Sequence, residues 1–304
     1  MPSWDQVLKE IQSQVGPLDA VRRKYLKQLS RYTGRNTIAY YSGWLSAQRL
    51  SPIHSISDED KNAFMSAIKG SDRDRGLDLI LHTPGGDAAA TESIVDYLRK
   101  MFGTNIRAVV PQLAMSAGTM IACACSEVIM GKESNLGPID PQFNGIPANG
   151  VLKEFKQAVE RIKKDPAEQP LWQAIIGKYH PTFLGACENA VKWSETIVTE
   201  WLRTGMLQDD DQAPATVQRI VHGLTDDEET FNHARHIHVE ALEDLGLKIK
   251  RLEDDDKLQD LVLTVHHAFM HTFSMTSCLK IVENDRGITM ARIERPPQPR
   301  PPGM

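Results

Sequence analysis

The sequence predicts an α/β protein built on a largely parallel sheet with crossover helices. Three observations carry that prediction. Strand-type and helix-type segments alternate at short intervals between residues 77 and 131, the order expected of βαβ units. The strand-type runs, "LDLIL", "IRAVV" and "EVIM", read as buried strands. Two connections, "HTPGGD" and "AMSAGTM", contain glycine, close a strand and open a helix.

The elements follow in order. Residues 4–32 read as two helices, with Leu8, Ile11 and Val15 at helical spacing, a break at Gly16-Pro17, then Leu18, Val21, Tyr25 and Leu29. "NTIAYYSGWL" (36–45) is rich in β-formers and reads as a strand. "SDEDKNAFMSAIKG" (57–70) starts with a cap-like Ser57 and ends at Gly70, so it reads as a helix. Residues 77–86 form a strand stopped by Pro84-Gly85-Gly86, and 87–103 a helix capped by Asp87. Residues 106–114 are a strand, 116–125 a short helix and 126–131 a further strand. Residues 150–206 are helical and amphipathic, and 208–215 form a solvated acidic loop. Residues 233–253 read as a helix ending at Gly246, then a strand. An apolar helix follows at 258–271, and 278–294 reads as a hairpin turning at Asn284-Asp285-Arg286-Gly287. The last segment, "RPPQPRPPGM", is Pro-rich and cannot form a core.

Bulk properties narrow the function. The 304 residues carry a formal net charge of −5, which gives no support to general nucleic-acid binding. No segment has the continuous apolar length of a membrane span, and the N-terminus is amphipathic rather than signal-like. Cys123, Cys125, Cys187 and Cys278 lack a disulfide-framework spacing, so reduced thiols and a cytoplasmic location are expected. His233 with His236, and His267 with His271, could each share a helix face. No cluster of other ligands accompanies them, so no metal is expected. "HTPGGDAAA" lacks the dinucleotide-binding glycine pattern and no pyridoxal lysine stands out, so no cofactor is expected.

The chemistry concentrates on the two glycine turns. In an open parallel sheet the C-terminal strand ends converge on the ligand crevice. Helix N-termini there present unpaired N–H groups. Gly85 and Gly86 allow such groups to turn outward and a substrate to approach. Ser116 reads either as a helix cap or as a nucleophile beside these donors, with the Ala117 N–H as a further one. His82 reads as a strand residue that supports the site.

"LILHTPGGD", "VVPQLAMSAGTMIACACSEVIM" and "SNLGPIDPQ", in this order, resemble the serine dehydrogenase proteinase family. That family is distantly related to Clp proteases and signal peptide peptidase A. The resemblance runs from about residue 75 to 145 and is weaker at "EALEDLGL" (240–247). It implies the Clp protease/crotonase fold, with N-terminal helices over 1–34 and a catalytic domain over 35–255 bearing a helical arm at about 150–206. A C-terminal helix and hairpin (256–294) and the tail (295–304) would follow.

The resemblance also implies a serine peptidase acting on peptide or protein substrates and assembling as a homo-oligomer. Ser116 takes the place of the nucleophile, and Gly85 and Gly86 take the place of the oxyanion turn. In Clp proteases the position held here by Asp140 carries His, and the position held here by His233 carries Asp, so acid and base exchange places. Signal peptide peptidase A relatives use Lys instead, and Lys156, 40 residues after Ser116, is the preferred candidate for that dyad. A Ser hydroxyl needs such a base within hydrogen-bond reach. Two other functions share the fold: a non-catalytic interaction or assembly protein, and a crotonase-type enzyme on acyl thioesters.

Overall fold

A computed structural model describes residues 4–12, 17–143, 145–225 and 234–294. Helices α1 (Trp4–Gln12) and α2 (Pro17–Thr33) precede β1 (Asn36–Ser42). Next come α3 (Glu59–Ile68), β2 (Leu77–His82), α4 (Ala88–Phe102), β3 (Ile106–Val110), β4 (Leu113–Ala114), α5 (Ala117–Cys123) and β5 (Glu127–Met130). Short strands β6 (Asn135–Leu136), β7 (Gln142–Phe143) and β8 (Ile146–Pro147) lead into the arm. The arm contains α6 (Ala148–Lys164), α7 (Gln169–Ile176) and α8 (Phe183–Thr204). The chain continues with α9 (Ala213–Thr225), β9 (Ile237–His238), α10 (Val239–Leu245), β10 (Ile249–Arg251) and α11 (Asp256–Met275). It closes with the hairpin β11 (Cys278–Asn284) and β12 (Thr289–Ile293).

The main sheet has the order β10-β5-β3-β2-β1-β11-β12. Its first five strands are mutually parallel, and β11 pairs antiparallel with β1 and with β12. Period-2 alternation divides the sheet between two cores. Ile38, Tyr40, Leu79, Leu81, Ala108, Val110, Val128 and Met130 face one, under α3, α4, α5, α8 and α9. Ala39, Tyr41, Ile80, Val109, Ile129 and Ile281 face the other, under α2 and α11. Covering both faces accounts for the nearly unbroken apolar runs of β2, β3 and β5.

A second sheet, β4-β6-β9, lies beside the C-terminal strand ends. Thr83 and Ala114 bridge, with Thr83 N–H donating to Leu113 O (3.0 Å) and Met115 N–H to Thr83 O (3.0 Å). The chain leaving β2 and the chain entering α5 are thereby clamped together. That clamp brings the two glycine turns of the sequence into one place.

The structure corrects four element boundaries. The strand from residue 36 stops at Ser42, and Trp44–Ser46 form a 3₁₀ turn. The run 106–114 is two strands, parted at Pro111, which has no N–H for a ladder. The 208–215 loop gives way at Ala213 to α9, with Pro214 in its first turn. The helix expected from residue 233 begins only at Val239, because Ile237 and His238 pair with Leu136 and Asn135 as a strand. His233 and the 295–304 tail lie outside the described residues. Among those described, no helix is long and apolar enough to cross a membrane. All four cysteines are free thiols.

Candidate active site

Ser116 stands at the N-cap position of α5 but does not cap it. Its side chain makes no cap hydrogen bond, and its backbone sits at φ 51°, ψ −116°. Among the described residues it is the one non-glycine with positive φ. That conformation is costly for an L-residue, of order 1–3 kcal/mol, and persists where the surroundings enforce it. Here the Thr83–Ala114 clamp fixes the chain before Ser116. After it, Gly118 N–H donates to Met115 O (2.8 Å) and Met120 N–H to Ser116 O (3.1 Å). Of the two readings open in the sequence, cap and nucleophile, the geometry excludes the cap.

The Pro84-Gly85-Gly86 turn lies directly against Ser116. A Cβ on Gly85 would stand 2.7 Å from the Ser116 Cβ, so only glycine fits, and its φ of 99° requires glycine as well. The Gly85 N–H is occupied by Thr83 Oγ1 at 3.1 Å, so it is not the donor the sequence suggested. Neither the Gly86 N–H nor the Ala117 N–H has a partner among the described residues. These two are the donors left for an oxyanion.

Ser116, Ala117, Gly85, Gly86 and Asp140 line one cleft of about 520 Å³. Met120, Ile139, Phe143 and Trp193 add apolar surface to it. Asp140 is nearly fully buried. The turn that carries Asp140 is tied down at several points. Thr119 Oγ1 accepts from Gly137 N–H (2.9 Å) and reaches Ala114 O and Gly137 O (2.9 Å each). Ile139 N–H donates to Leu224 O (2.9 Å), and the Ser194 hydroxyl donates to Ile139 O (3.0 Å). Lys156 is exposed on α6 and does not line the cleft.

His82 closes β2 and does not line the cleft. It is fully buried against Tyr41, Trp44 and His266, with both ring nitrogens lacking partners. Burial, and then His266, hold it well below the ordinary histidine range. The His267/His271 pair closes on Trp4, and among the described residues no group of three or more His, Cys, Asp or Glu side chains could hold a metal.

One supporting network had no sequence signal. Lys280 of β11 is buried, and its Nζ donates to Ser55 O (2.7 Å) and to both Asp60 carboxylate oxygens (3.0 and 2.8 Å). Asp60 also accepts from the Tyr40 hydroxyl and from Ser57 N–H (2.9 Å each). Ser55 lines the cleft, and its neighbour Ile56 grips the glycine turn. Ile56 N–H donates to Gly85 O (2.8 Å), and Asp87 N–H donates to Ile56 O (3.0 Å). A Cβ on Gly86 would fall 2.2 Å from Ile56 N. The ion pair, 220 residues apart in sequence, therefore anchors the segment that grips the glycine turn.

The family described as ClpP-like SDH-type serine proteinase matches residues 9–262. An uncharacterized protein of Methanocaldococcus jannaschii is 29% identical over 230 residues, 75% of this chain and 71% of that protein. A second uncharacterized protein of the same organism is 36% identical over 170 residues, 55% of this chain and 58% of that protein.

Proposed function

The chain belongs to the ClpP-like SDH-type serine proteinase family, and from that premise we propose that it hydrolyses peptide bonds with Ser116 as nucleophile. The observation that carries the reading is the strained, uncapped Ser116 beside two unpaired N–H groups in one cleft. Ser116 Oγ attacks the scissile carbonyl carbon. The Gly86 and Ala117 N–H groups receive the developing oxyanion, in a site where they need no reorganisation. His233 takes the hydroxyl proton and returns it to the leaving amine, and Asp140 orients it. Water then attacks the acyl-enzyme and releases the acid. Lys156, exposed and away from the cleft lining, is the weaker base candidate.

Met120, Ile139, Phe143 and Trp193 suit an extended substrate with an apolar side chain next to the scissile bond. Exposed Val159 and Leu171 on the arm suit self-association, and the free thiols suit a reducing, cytoplasmic setting.

The test is digestion of an unfolded protein substrate, with fragments identified by mass spectrometry. Cleavage after apolar residues by the wild type, lost in Ser116→Ala, is expected. Intact substrate with folded wild type in every assembly state would favour the non-catalytic scaffold. Turnover of acyl thioesters that survives Ser116→Ala would favour the crotonase-type reading.

A further inference from the structure

We propose that the groove between α2 and the β11–β12 turn binds an oligophosphate chain. The groove, about 600 Å³, is lined by Arg23, Lys24, Lys27, Arg31, Arg75 and Arg286. Asp285 is the lone carboxylate in its lining, and its oxygens already accept from the Ser30 hydroxyl (3.1 Å) and Thr37 N–H (3.2 Å). Six cations gather here on a chain whose net charge is −5. The site is remote from Ser116. Asn284, just before the turn, pairs with Ile38 near the start of β1, whereas Ser116 follows the opposite, C-terminal strand ends.

The charges are arranged rather than merely crowded. Arg75 is held by backbone carbonyls, Nε on Gly34 O (2.9 Å) and Nη2 on Arg35 O (3.1 Å). Arg286 Nη2 is held by Lys69 O (2.6 Å) and Ala67 O (3.1 Å). Among the described residues neither has a carboxylate partner, and the Nη1 of each has no hydrogen bond. Arg23 and Lys24 are partly neutralised by Glu283 and Glu10. Lys27 and Arg31 are exposed and have no partner among the described residues. Guanidinium groups fixed by neutral carbonyls keep their full charge and lose little freedom on binding. Phosphate oxygens match that fork geometry. A single phosphate would engage only part of a set of six cations. Among the described residues no aromatic side chain lines the groove, so none there would stack a nucleobase. The ligand is read through its phosphates alone.

The test is titration calorimetry of the full chain with sodium tripolyphosphate, ATP and orthophosphate, magnesium-free, at about 0.15 M salt. Expected are one site per chain, tripolyphosphate and ATP of similar affinity, and orthophosphate weaker. Lys27→Ala/Arg31→Ala is expected to weaken tripolyphosphate by about tenfold or more. Neither side chain supports the fold, so circular dichroism is expected to be unchanged. Lys163→Ala/Lys164→Ala, removing as much charge from α6, is expected to leave affinity unaltered. Absence of heat at millimolar ligand, equal loss in both variants, or ATP far tighter than tripolyphosphate would each overturn the proposal. So would binding of RNA or anionic vesicles without binding of tripolyphosphate. The readout needs no hydrolysis, so it stands or falls independently of Ser116.

Discussion

Replacing Lys280 by Met tests whether the Asp60–Lys280 pair holds the site together. The side chains of Lys280 and Asp60 are 4% and 5% exposed, so neither charge is hydrated. Burial pulls the Lys280 ammonium below its ordinary value, and Asp60 pulls it back toward it. Lys280→Met leaves the Asp60 carboxylate with only the Tyr40 hydroxyl and Ser57 N–H, and takes from Ser55 O its donor. Breaking a buried pair by removing one partner costs about 3–5 kcal/mol, a large part of the roughly 5–15 kcal/mol that stabilises a domain. Removing both charges, in Asp60→Leu/Lys280→Met, is expected to cost less than the two singles summed, with a coupling of about 0.5–3 kcal/mol. Urea denaturation followed by circular dichroism measures these differences. On the folded fraction, released Ser55 and Ile56 let the glycine turn drift, and reaction of a fluorophosphonate with Ser116 is expected to slow by about ten- to a hundredfold. A loss below about 1 kcal/mol for Lys280→Met would refute the reasoning, because Asp60 would then not depend on Lys280 as a buried partner.

Three further outcomes follow from the structure. Gly85→Ala places a Cβ 2.7 Å from the Ser116 Cβ at φ 99°, so it is expected to destabilise by about 1–3 kcal/mol and to abolish peptide cleavage, read by urea melts and a fluorogenic peptide. His266 is lowered to about 3 by burial and by His267, below its unfolded value of about 6.5. Its contribution is therefore complete above about pH 6.5 and lost as pH falls toward 3, which amounts to roughly 2 kcal/mol at pH 5. Urea melts at pH 7.5 and 5 are expected to differ by at least that much, with His82 adding in the same direction, and the difference is expected to shrink in His266→Gln. Burial raises the Cys123 and Cys125 thiols to about 12, so iodoacetamide at pH 8 is expected to spare both in the native protein and to label them after denaturation, by peptide mass mapping.

The sequence carried the central βαβ region because its signals are local. Asp87 caps α4 through Ala90 N–H (2.7 Å), as its position before "AAATES" suggests, and the apolar runs of β2, β3 and β5 are those of strands covered twice. Gly246, at φ 104°, ends α10 where a left-handed C-cap was legible. The misses are places where one signal has two meanings. Pro214 reads as a loop marker but sits in the first turn of α9, where proline fits a helix. In His236-Ile237-His238 only Ile237 is buried, which is strand alternation hidden inside an otherwise helical composition. The two glycine turns were legible because glycine punctuates the chain, whereas the positive φ of Ser116 has no sequence signal. Lys280 was not, since its partner lies in α3 and only the antiparallel β1–β11 pairing brings them together.

The most direct test of the account is intact-mass analysis after exposure to a fluorophosphonate, on wild type and Ser116→Ala. An activated Ser116 predicts a single adduct on the wild type and none on the variant. Repeating it with His233→Ala, Asp140→Asn and Lys156→Ala assigns the base, with labelling expected to be lost in the first, slowed in the second and unchanged in the third. An unlabelled, folded wild type in each of its assembly states, or an adduct that survives Ser116→Ala, would contradict the assignment of Ser116 as nucleophile.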